Sequence, residues 1–141
     1  MKRRKDAARP TRTYPGYQSH ARGQTLRSWT VGGLPIVDHM LKRMSLESIL
    51  QQHLPQDDRR MEIPTTTGLL LLLRNLLLSR EPIYGVGEWA ERYAPDLLGL
   101  SRGQLNHLND DRLGRCLDRL FDTDPALLLH VVRACGTRVW R

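Results

Sequence analysis

The chain has 141 residues, 40% hydrophobic and 26% charged, enough for one modest core and too few for two comfortable domains. Its formal charge of +7 is unevenly placed: residues 1–30 carry eight Lys/Arg against Asp6 alone, while residues 31–141 balance fourteen basic groups with fourteen acidic ones. Two cysteines, no apolar segment behind the basic N-terminus and no apolar run near the ~20 residues of a bilayer span argue against a disulfide scaffold, a secretory leader and a membrane helix, and favour a reduced, cytoplasmic setting.

Residues 1–30 contain Pro10, Pro15, Gly16 and Gly23, few aliphatics and no apolar period. A flexible arm is expected there, with folded structure beginning near Thr30–Pro35. Beyond Pro35 the spacing is helical. Ile36, Val37, Met40, Leu41 and Met44 recur at i, i+3, i+4 and predict one buried face, with Lys42 and Arg43 outside it. Ser45 is placed to cap a short second helix carrying Leu46, Ile49, Leu50 and His53, which Pro55 stops. Residues 56–60, QDDRR, read as a polar loop.

After Pro64 the segment TTTGLLLLLRNLLLSR is apolar on nearly every side, as expected of a central helix that its neighbours surround. Residues 82–100 hold a short helix around Glu88–Tyr93 and a turn at Asp96–Leu100, with Trp89 and Tyr93 anchoring the helix in the core. Tyr84-Gly85-Val86-Gly87 lacks the preceding strand of a phosphate loop and is read as a turn. SRGQLN, from Ser101, is read as a polar connection.

The run LNDDRLGRCLDRLFD, residues 108–122, poses the main chemical question. On a helix starting near Asn109, the residues Leu113, Cys116, Leu117, Leu120 and Phe121 form one apolar face. Asn109 or Asp110 suits the N-cap, Asp111 sits i, i+4 from Arg115, and Arg119 sits i, i+3 from Asp122. A two-metal nuclease centre needs carboxylates converging from separate elements. Asp118 and Asp122 share one helix face between arginines, so these aspartates are assigned to capping and ion pairing. Asp122 and Asp124 also suit the turn into a last helix that Pro125 opens, with Leu128, Val131, Val132 and Cys135 on its apolar spacing. Strand signals are nearly absent, and the prediction is an all-α bundle of six or seven short helices.

Nucleic-acid contact has several candidate surfaces. In the arm, Lys2, Arg3, Arg4, Lys5, Arg9, Arg12, Arg22 and Arg27 suit phosphates, and Tyr14, Tyr17 and Trp29 suit stacking on unpaired bases. A solvated tail is the bland alternative. Residues 46–54 resemble a recognition helix only weakly, offering Gln51, Gln52 and His53, with Glu47 repelling phosphate. Residues 101–119 are richer, with Arg102, Gln104, Asn106, His107, Arg112, Arg115 and Arg119, although their aspartates cancel much of the charge. His20, His39, His53, His107 and His130 are scattered and no C-x-x-C exists, so spacing offers neither a zinc site nor a nucleophile–base pair.

Three blocks, LPIVDHMLKRMSLESIL, EPIYGVGEWAERY and LNDDRLGRCLDRLFD, resemble in order and spacing the N-terminal domain of a family of bacterial insertion-sequence transposases. The resemblance covers roughly residues 31–138. It implies a role in DNA transposition, either engaging transposon-end DNA or assembling the transposase. In that family an RNase H-like DDE domain follows, its first catalytic Asp in a segment resembling L-H-x-D-x-T, and Mg2+ serves the complete enzyme. This chain stops at Arg138–Arg141, short of that segment, as a truncated copy would. Asp110 and Asp111 match the family's helical motif and not its triad, so the chain is expected to be no enzyme by itself, with no cofactor and no small-molecule substrate.

The resulting expectation is a basic arm, residues 1–30, and a helical transposase N-terminal-like domain, residues 31–141. DNA and a second copy of the chain are the expected partners. The competing expectations are a protein-interaction module without a DNA role, which the neutral body favours, and an inactive remnant.

Overall fold

Seven α-helices form among the described residues, 28–139, of the computed structural model, and no strand accompanies them there. They are α1 (Leu34–Met44), α2 (Leu46–His53), α3 (Thr65–Leu78), α4 (Val86–Glu91), α5 (Arg102–Leu105), α6 (Asp110–Phe121) and α7 (Ala126–Val139). Two 3-10 turns, Ile83–Gly85 and Pro95–Leu98, flank α4. The expected flexible arm lies outside the described residues except for its last three positions. Of these, Thr30 is already tied to the body: its N–H donates to Arg92 O at 2.8 Å, beside an isolated parallel bridge to Tyr93. No helix among the described residues is long and apolar enough to cross a membrane.

The helix α3 is central, as its leucine run implies, because it separates two hydrophobic clusters. Leu71 joins Leu34, Val86, Trp89, Leu98 and Leu113 on one side. Leu69 and Leu70 join Leu41, Leu46, Leu50, Cys116 and Leu127 on the other. Each such leucine contributes about 1.5–3 kcal/mol on full burial. The far end of α3 departs from the expectation, since Leu76 and Leu77 are both 59% exposed. Arg74, which interrupts the run, meets Asp38 of α1 at 2.8 Å. Asn75 is buried and exchanges two hydrogen bonds with the Glu81 backbone, which holds the turn after α3.

Several local expectations need correction. In α1 the buried stripe is Leu34, Val37, Leu41 and Met44; Ile36 and Met40 fall on its flank and remain exposed. Ser45 makes no side-chain cap bond. It closes α1 and opens α2 at once in the left-handed conformation (φ 53°), its N–H donating to Lys42 O, which replaces the extended backbone a hydroxyl cap requires. SRGQLN is not merely a connection: Ser101 and Gln104 form a reciprocal capping box that starts the single turn of α5.

Other expectations hold. Ile83–Gly85 make a 3-10 turn, although Val86 and Gly87 already belong to α4; Trp89 and Tyr93 are buried with ring centroids 5.1 Å apart, and Trp89 Nε1 donates to Ser79 Oγ at 2.7 Å. Asn109 caps α6, accepting from the Arg112 N–H at 2.9 Å.

On α6 the apolar face is split. Leu113 and Cys116 are buried and Leu120 is half-buried, while Leu117 is exposed and Phe121 is 90% exposed. On α7 the buried position is Leu127, with Val131 partly covered; Val132 points outward, and the side chains of Leu128 and Cys135 lie outside the described set. The face seen in sequence is wider than the core, so part of it is left at the surface.

Candidate nucleic-acid interface

The polar surface foreseen at residues 101–119 exists, and a second segment completes it. The loop 56–63 folds back along α6. Asp57 Oδ2 accepts from the Thr65 N–H at 2.9 Å and Asp57 Oδ1 accepts from the Thr65 hydroxyl. A carboxylate eight residues upstream therefore satisfies one of the free N–H groups that open α3, where the helix dipole favours negative charge. This fixes the loop beside α6 and encloses a shallow groove of about 320 Å³, whose walls include Arg60, Glu62, Arg112, Arg115 and Arg119.

Nearly every cation in the groove is matched to a carboxylate. Arg112 Nη1 donates to Glu62 Oε2, and His107 Nδ1 lies 3.1 Å from the same oxygen. Arg115 pairs with Asp111 at 2.7 Å, the i, i+4 contact expected from sequence. Arg119, whose spacing predicts a pair with Asp122, instead meets Asp57 at 2.9 Å, because the reversed loop supplies a better-placed acid. Gln104 Nε2 donates to Glu62 O at 2.6 Å. Of the three candidate DNA contacts on the body, Arg112 and Arg115 are thus engaged, and only Arg102 stands exposed without a carboxylate partner among the described residues. The eight arm candidates, Lys2 to Arg27, lie outside the described residues.

Burial pushes the Cys116 thiol above its ordinary value; the Asp57 carboxylate adds to the rise and Arg119 opposes it. Such a thiol is a poor nucleophile and a poor metal ligand. Asp110 and Asp124 accept backbone N–H bonds at helix starts, from Asp111 at 3.0 Å and Ala126 at 2.9 Å. Among the described residues no group of three or more His, Cys, Asp or Glu side chains is arranged to hold a metal ion.

Two features escaped sequence reasoning. One is the acid set of the loop, Asp57 and Glu62, which only chain reversal brings to α6. The other is His53, whose Nε2 sits 3.0 Å from His130 Nδ1 across 77 positions of sequence. No spacing rule signals either.

On another flank of α6 the surface is apolar. Leu76, Leu117, Leu120, Leu127 and Val131 border a groove of about 330 Å³, and Leu117, Leu120 and Leu127 continue into a second of about 410 Å³ beside Phe121 and Pro125.

These features define an all-α domain with a charge-matched polar groove on one flank and an apolar one on another. Residues 26–134 match the family described as Domain of unknown function (DUF4277), and the chain belongs to that family. No curated protein and no solved structure matches the chain.

Proposed function

We propose that this chain is the helical N-terminal domain of a DDE-type insertion-sequence transposase, in which the folded body assembles the protein and the basic arm meets transposon DNA. The observation that carries this reading is the division of surface. The body offers DNA a groove in which Arg112, Arg115 and Arg119 are already paired with carboxylates, and offers protein a continuous apolar strip along α3, α6 and α7. Exposed apolar strips of this kind mark interaction sites, whereas duplex-binding surfaces carry a basic excess. The whole excess charge of the chain resides in residues 1–30. A reduced, cytoplasmic setting accords with the free, buried Cys116.

Catalysis belongs outside this chain in that reading. Asp118 on α6 and Asp122 at its C-cap are both exposed, and no third carboxylate converges on them among the described residues, which does not fit a two-metal Mg2+ centre. No chemical step is therefore assigned to these residues.

The test is fluorescence anisotropy of residues 1–141 and of a chain starting at Ser28, which keeps the Thr30–Arg92 bond, on DNA from the element's own end and on a scrambled duplex. The proposal expects binding to vanish with the arm, to show no preference between duplexes, and to fall steeply with salt, with a slope of about −0.9 per phosphate contacted. Retained preference for the element's end by the shorter chain would move DNA reading into the helices.

A further inference from the structure

The two histidines that face each other across α2 and α7 lie outside both grooves and play no part in the function proposed above. His53 occupies the last turn of α2 and His130 an early turn of α7. His53 Nε2 and His130 Nδ1 are 3.0 Å apart, with the rings inclined at 74°. We propose that this pair is a surface site for a divalent transition ion of the Zn2+, Ni2+ or Cu2+ class, which ties α7 to α2.

The spacing is the main argument. Imidazole nitrogens bind such ions at about 2.0–2.1 Å, so two of them on one ion stand about 2.8–3.4 Å apart for angles between square and tetrahedral. The observed separation falls inside that range. Without an ion, one of the two nitrogens must carry a proton pointing at the other's lone pair; an ion displaces that proton and sits off the line between the nitrogens, about 2.0–2.1 Å from each, with the rings turned to aim both lone pairs at it. Imidazole favours these borderline ions over Mg2+ or Ca2+, which demand oxygen ligands. The two remaining positions open to solvent and take water or a small anion, since no third protein ligand converges there among the described residues.

The local field is mixed. The carbonyl end of α2 at His53 favours a cation. Arg133, one turn beyond His130 on α7, opposes it, but it is exposed and screened by solvent. The consequence is mechanical. The helix α7 closes the cluster around Leu69 and Leu70 with Leu127 and Val131 over Leu46 and Leu50 of α2, so an ion held by one side chain from each helix locks that seam.

The experiment uses the untagged 1–141 chain, stripped with EDTA and then titrated with Zn2+ and separately with Ni2+. Calorimetry should give one equivalent per chain, and the melting temperature should rise with free metal and fall back on chelation. His53→Gln and His130→Gln should each abolish both effects at unchanged circular dichroism, while His39→Gln and His107→Gln should leave them intact. Metal binding that survives both of the first two substitutions, or no binding at tenfold excess over the chain, overturns the proposal.

Discussion

A methyl group placed on Gly68 would lie 2.5 Å from Cys116 Sγ, so α3 and α6 cross where neither helix has room for another carbon. Gly68 is helical and needs no special backbone conformation; it is small because its neighbour is close. Gly68→Ala should therefore destabilise the domain by about 1–3 kcal/mol through overpacking. Urea denaturation checks this. Combining it with Cys116→Ala should recover part of the loss, as residues in contact are non-additive.

Cys116 also makes the fold sensitive to alkali. Its folded-state value is raised above the ordinary 9.0 by burial first and Asp57 second. Between the two values the unfolded chain has released the thiol proton and the folded chain has kept it. The unfolded state then binds fewer protons, and stability falls as pH rises. The contribution is fully present below pH 9.0 and is lost as pH climbs through the raised value. Denaturant midpoints from neutral to alkaline pH should show this decline in the wild type and a shallower one in Cys116→Ser.

Much of the fold follows directly from residue pattern. The leucine run of α3, the Asn109 cap and the Trp89–Tyr93 anchor all rest on contacts within a few residues of each other, which periodicity and capping rules capture. The misplaced assignments at Ile36, Leu117, Phe121 and Val132 share one cause. Apolar spacing marks every face that avoids water, and does not separate a face buried in the monomer from one left for another surface. The acid set around α6 was invisible for a different reason: Asp57 lies 62 positions from Arg119 and Glu62 lies 50 from Arg112, and only the reversal of the chain at residues 56–63 joins them.

Asp57 links that reversal to the start of α3. Asp57→Ala removes the acceptor for the Thr65 N–H and leaves Arg119 without its carboxylate, and should cost about 1–2 kcal/mol, the range of a lost helix cap. Asp58→Ala, whose carboxylate accepts from the exposed Arg60 N–H at 3.2 Å, should cost much less. Thermal melts of the two variants make the comparison.

Glu62 holds both Arg112 and His107 away from other anions. Glu62→Gln should release Arg112 toward phosphate, strengthening non-specific duplex binding at low salt and making the salt slope steeper by about one unit. Anisotropy at several salt concentrations reads both quantities. An unchanged slope would mean that this groove does not meet DNA even when its charge is freed.

Sedimentation velocity of the 1–141 chain tests most directly whether the apolar strip of α3, α6 and α7 joins protein to protein. A protein-binding strip should give a dimer or larger species that persists at high salt and reverts to monomer in Leu117→Ser/Phe121→Ser, whose melting temperature stays close to wild type because both side chains are exposed. A wild-type chain that remains monomeric across the accessible concentration range, with or without salt, would contradict it.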